Sequence, residues 1–136
     1  MIAISYRDGD NRLMRYTSEG GAGQSGRRRL VPGTLVVVSL DHPHEKFWGV
    51  LLEVAPAGVS ILGIELSSFD DFLARLRDRE AVTGGEVFFP MHRVQRVEVD
   101  APNGDIPSLG ERFQAATRRS PAAFFGTNHH RSVRKR

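Results

Sequence analysis

Glu86-Val87-Phe88-Phe89-Pro90-Met91-His92-Arg93-Val94-Gln95-Arg96-Val97-Glu98-Val99-Asp100 is the stretch on which the fold turns. Its β-branched and aromatic residues mark a long strand, and Pro90 interrupts it. Proline donates no hydrogen bond to a ladder, so the strand must bend, bulge or lie at an edge there. Beyond Pro90, Val94, Val97 and Val99 abandon strict alternation, the pattern of a bulged and strongly curved strand. Upstream, Thr34 to Leu40 is apolar and β-branched. The hydrophilic turn Asp41-His42-Pro43-His44-Glu45 ends it, and Lys46 to Val54 alternates after Trp48. Pro56-Ala57-Gly58 then turns the chain into a third run, Val59 to Leu66.

At Ser67 the apolar period changes from two to 3.6. Phe69, Phe72, Leu73 and Leu76 form one stripe of a helix over residues 68–79. Ser67 or Ser68 can cap it, Asp70 and Asp71 suit the positive end of its dipole, and Asp71 and Arg75 stand one turn apart. Gly84-Gly85 breaks the chain before the bent strand. After it, Ser108-Leu109-Gly110-Glu111 has the spacing of a capping box and opens a short helix through Phe113 and Ala116, which Pro121 closes. A short antiparallel sheet otherwise leaves exposed edges, so the pattern predicts an α+β domain. Its centre is a small, strongly bent antiparallel β-barrel with one inserted helix and a short C-terminal helix.

Charge divides the chain in the same places. Residues 1–30 carry six basic side chains against three acidic, 31–117 carry seven against thirteen, and 118–136 carry six against none. Residues 17–29 lack large apolar side chains and are rich in glycine and serine, a connector composition. The expected organisation is a flexible basic N-terminal arm (1–30) with at most a loose strand in its first sixteen residues, a barrel domain (31–117) and a basic disordered tail (118–136). With no cysteine there is no disulfide framework and no thiolate metal site. No run approaches the ~18 apolar residues of a membrane span, so a cytoplasmic location is expected.

Two further segments carry a likeness to a known family. Phe47-Trp48-Gly49-Val50-Leu51 places a glycine where a second strand bends sharply, and Phe88-Phe89-Pro90-Met91-His92-Arg93-Val94 is aromatic, basic and histidine-containing near the end of the sheet. Over residues 31–100 the arrangement resembles the Sm-like family with its Hfq-type members, a small barrel of SH3-like kind. That resemblance implies five curved strands, edge-to-edge association of protomers into homo-oligomers, and single-stranded RNA as ligand. The chain departs from it at Ala55-Pro56-Ala57-Gly58-Val59, where Sm-type proteins carry an aspartate and an asparagine, and in having its helix after the third strand. A weaker resemblance is to a degenerate PilZ domain. Arg27-Arg28-Arg29 precede the first strand and Glu53-Val54-Ala55-Pro56-Ala57-Gly58 keeps the glycine of the family's turn, which implies cyclic-dinucleotide sensing.

Candidate ligand-binding residues follow from the charges. Arg27, Arg28, Arg29, Arg118, Arg119, Arg131, Arg134, Lys135 and Arg136 in the arms can neutralise phosphates with release of counterions, and His92, Arg93 and Arg96 on the bent strand can join them. His42 and His44 with Asp41 and Glu45 are ligand types that zinc or nickel accept, but with no further ligand nearby the segment reads as a polar hairpin loop, so no metal is assigned. No serine, histidine and acid fall into a nucleophile motif and no phosphate-cradling glycine loop opens a helix, so neither catalysis nor a cofactor is expected. Phe47 with Trp48, and Phe88 with Phe89, are adjacent in strands. One of each pair must face outward, either under the chain's own helices or toward a protein partner or second copy. The reading is a non-enzymatic binding module that associates with nucleic acid, RNA favoured. The alternative is a protein-interaction or cyclic-dinucleotide-sensing module.

Overall fold

The structure is a computed structural model. It describes residues 2–6, 14–18 and 30–126, the first two segments as backbone only. Its centre is a five-stranded antiparallel sheet built from β3 (Leu35–Leu40), β4 (Glu45–Ala55), β5 (Gly58–Glu65), β6 (Gly85–Pro90) and β7 (Val94–Val99) in the order β7-β3-β4-β5-β6. Two N-terminal strands, β1 (Ile2–Tyr6) and β2 (Met14–Ser18), continue the sheet past β7, with Ile4 opposite Val97 and Tyr16. Both strands lie in the segment expected as a flexible arm with at most a loose strand. The next described residue, Leu30, also packs against the core.

Pro90 divides the long strand as its missing N–H requires, but the two halves do not stay in line. A single 3-10 turn, Met91–Arg93, redirects the chain, and β7 pairs with β3 while β6 pairs with β5. The Met91 N–H donates to the Ala57 carbonyl at 2.9 Å and fixes the bend to the β4–β5 turn. The loss of alternation among the valines is a bulge: Ser39 faces Arg96 and Leu40 faces Val94, leaving Gln95 as the extra residue. β6 and β7 share no ladder, so among the described residues the sheet is open.

Both faces of this sheet are covered. On one, Val36, Val38 and Leu40 of β3 meet Leu51, Val59, Ile61, Phe89, Val94 and Val97, the inner side of a curled sheet. On the other lie α1 (Phe69–Arg77) and α2 (Leu109–Thr117). The stripe read from the sequence is the buried one, with Phe69, Phe72 and Leu73 against the sheet. Phe72→Ala should therefore cost about 3–5 kcal/mol in urea unfolding, while Arg77→Ala, at an exposed position, should stay within about 0.5 kcal/mol. Equal losses at both would mean the helix packs by another face.

Trp48 is the centre of the helical layer. It is fully buried, and its ring centroid lies 5.3 Å from Phe69, 5.7 Å from Phe113 and 5.5 Å from Phe125. Its indole N–H donates to Asp100 Oδ2 at 3.1 Å. The same carboxylate accepts the backbone N–H groups of Leu109 at 2.9 Å and Gly110 at 2.7 Å, two donors that the first turn of α2 cannot satisfy itself. The capping box completes that turn, with Ser108 Oγ accepting from Glu111 N at 3.0 Å and Glu111 Oε1 accepting from Ser108 N at 3.3 Å.

Regular structure continues past residue 117. Pro121 does not merely end α2. It opens a third helix, α3 (121–126), where a proline's missing N–H and fixed φ cost nothing. The Ser120 carbonyl accepts the Phe124 N–H at 2.9 Å. Phe124 and Phe125 are buried against Phe72, Phe113 and Trp48, so the start of the expected tail belongs to the core.

Candidate nucleic-acid interface

The arm residues Arg27, Arg28, Arg29, Arg131, Arg134, Lys135 and Arg136 lie outside the described residues. Of the remaining candidates, Arg118 and Arg119 follow α2, and His92, Arg93 and Arg96 sit on the bend and on β7. His92 is exposed on the 3-10 turn. Arg93 faces inward to the loop between β3 and β4: Nε donates to the Asp41 carbonyl at 3.2 Å, and Nη2 donates to the Pro43 carbonyl and to Glu45 Oε1, each at 2.9 Å. Its guanidinium is a brace for that loop. Arg96 pairs with Glu98 on the same strand. Arg93 and Arg96 thus already have carboxylate partners, and His92 is the exposed residue of the turn.

The same loop holds the histidines. Asp41 stands 3.2 Å from His44 Nδ1 and 3.6 Å from His42 Nε2, and the exposed imidazoles flank one carboxylate. Among the described residues no three histidine, aspartate or glutamate side chains converge as a metal site would need.

The strand aromatics divide as alternation requires. Phe47 turns to the inner face and meets Phe89 at 4.8 Å, and Trp48 lies under the helices. Phe88 is left 53% exposed on β6, a strand that pairs only with β5 among the described residues.

A second concentration of positive charge lies in the helical layer. The C-terminal ends of α1 and α2 border a cleft of about 470 Å³ lined by Arg77, Arg79, Glu80, Thr117, Arg118 and Arg119, among others. Its neighbours are neutralised: Arg75 holds Asp71 at 2.9 Å and reaches Glu80 at 3.6 Å, and Arg112 holds Asp70 at 2.7 Å. Arg77, Arg79, Arg118 and Arg119 have no ion pair within the described residues. Arg119 lies over the Phe124 ring, 4.9 Å from its centroid.

Two of these arginines hold unusual backbone. α1 ends with Glu80 N donating to the Arg75 carbonyl at 2.9 Å and Arg79 N to the Leu76 carbonyl at 3.0 Å, a Schellman pair that puts Arg79 in the left-handed position at φ 62°. Arg118 caps α2 at φ 59°, its N–H donating to the Gln114 carbonyl at 2.8 Å. Glycine is the usual occupant of such positions because a Cβ costs about 1 kcal/mol there. The helix dipole gives Arg79 little reason to be present, since Arg75 and Arg77 already stand in the last turn of α1. No sequence motif announces this cluster. Only the Arg118-Arg119 pair, and the absence of glycine where both helices stop, is visible in the chain.

No protein-family model, curated protein or solved structure matches the chain.

Proposed function

We propose that the chain is a non-enzymatic small-barrel module of Sm-like kind that associates with nucleic acid, RNA favoured, through basic arms. The observation that carries this reading is the charge of residues 118–136, six basic side chains and no acidic one, attached to a body with an acidic excess. Such a segment gains binding free energy on any phosphate backbone by releasing condensed counterions. The strand order β7-β3-β4-β5-β6, with a 3-10 turn between β6 and β7 and an apolar inner face, supports the barrel part of the reading. His92, exposed on that turn, is available to a base or phosphate. Arg93 and Arg96 contribute less because carboxylates already hold them.

The test is a titration with single-stranded RNA at several salt concentrations. Replacing Arg131, Arg134, Lys135 and Arg136 by alanine should weaken binding and flatten the salt dependence by a slope of about 0.7 to 0.9 for each phosphate no longer neutralised. His92→Ala should lower affinity at unchanged slope if the imidazole makes a hydrogen bond or stack. Absence of measurable affinity in the intact protein at low salt would refute the reading. A protein-interaction module would then be favoured by one specific observation, the half-exposed Phe88 on the marginal strand β6.

A further inference from the structure

The cleft between the ends of α1 and α2 gathers three independent features. Four guanidinium groups, on Arg77, Arg79, Arg118 and Arg119, line it or its rim, and none has a carboxylate partner among the described residues. The one acid in the lining, Glu80, is drawn toward Arg75. Arg79 and Arg118 both occupy left-handed backbone positions that glycine would fill at lower cost, and the two positions follow different helices yet line the same cleft. A packing or solubility role would explain exposed arginines, but it does not explain arginine in place of glycine at both stops.

We propose that this cleft is a phosphate seat. It takes phosphodiester groups of the strand attracted by the arms, and in that form it rests on the nucleic-acid reading above. Planar guanidinium groups suit it because each can donate two parallel hydrogen bonds to one phosphate. At about 470 Å³ the cleft has room for more than a single phosphate. Thr117 cannot share in the binding through its hydroxyl proton, which goes to the Phe113 carbonyl at 2.8 Å, so recognition rests on the arginines.

The decisive variant is Arg79→Gly with Arg118→Gly in the full chain. Glycine relieves both backbone positions, so the urea midpoint should hold or rise while binding falls. Against a short single-stranded oligouridylate, the double variant should lose at least about tenfold in affinity and reduce the salt slope by about 0.7 for each phosphate no longer neutralised. Arg77→Ala repeats the measurement without touching either left-handed position, and it decides the matter if the glycine variant loses stability. Oligouridylate binding that matches wild type in both variants, while alanines at Arg131, Arg134, Lys135 and Arg136 abolish it, overturns the seat and leaves the arms as the binding element. If wild type binds no oligouridylate at low salt, the nucleic-acid reading fails, and pyrophosphate titrated into the same proteins decides the cleft alone. Pyrophosphate binding by wild type but not by the glycine variant supports a seat for free polyphosphates, and no binding by wild type overturns it.

Discussion

Gly49→Ala is expected to destabilise the protein by about 4 kcal/mol, near the top of the range for a single substitution. Gly49 of β4 stands directly opposite Gly63 of β5. A methyl group at Gly49 would fall 2.3 Å from the Leu62 carbonyl oxygen and 2.5 Å from the Gly63 Cα, and one at Gly63 would fall 2.2 Å from the Trp48 carbonyl oxygen. All of these are backbone atoms, so no rotamer change relieves the clash and the two strands must separate. Separation at this point moves Trp48, the neighbour of Gly49 and the centre of the helical layer. Gly85→Ala is the control, because a Cβ there meets nothing within 4 Å and the substitution should be close to neutral. Urea unfolding followed by tryptophan fluorescence measures both, and near-equal midpoints for the two variants would show that the strands have room to part.

Phe125→Ala should cost about 3–5 kcal/mol, the range for emptying a buried aromatic site that cannot collapse. Phe125 is 1% exposed and touches both Trp48 and Phe124 edge-on. Its ring also lies within 2.8 Å of where a Cβ on Gly84 would sit, so it closes the layer against the segment that leads into β6. The same geometry predicts that a chain ending at Ser120 unfolds at lower urea than one ending at Gly126, although sequence patterning alone would place both beyond the domain. If the two chains unfold together, α3 contributes packing that the rest of the layer can replace.

What could be read in the sequence were features whose cause is local. The α1 stripe is legible because 3.6 periodicity over Phe69, Phe72, Leu73 and Leu76 has one geometric meaning, and the capping box is legible because Ser108 and Glu111 satisfy each other within one turn. The break at Pro90 is legible, but its outcome is not. Whether β7 continues beside β5 or crosses to β3 depends on pairing with residues more than fifty positions earlier in the chain. The position of Arg93 is hidden for the same reason: nothing near it in sequence shows that Asp41, Pro43 and Glu45 arrive around its guanidinium, where a ligand is expected instead. α3 escapes because six residues are too few to show a period, and because a proline after a helix ends one element and can start the next with equal ease. The arginine cleft is assembled from the stops of two helices, and each half looks like ordinary surface charge until the fold sets them side by side.

Asp100 gives the molecule a mechanical property. One carboxylate at the end of β7 joins the indole at the middle of the sheet to the two leading amides of α2, across the seam between the layers. Lifting α2 away would strip that carboxylate of two backbone donors at once, while also uncovering the aromatic cluster around Trp48. Opening the seam at the leading end of α2 is therefore costly from its first step. That end of the helical layer and the centre of the sheet are thereby coupled, and they open together.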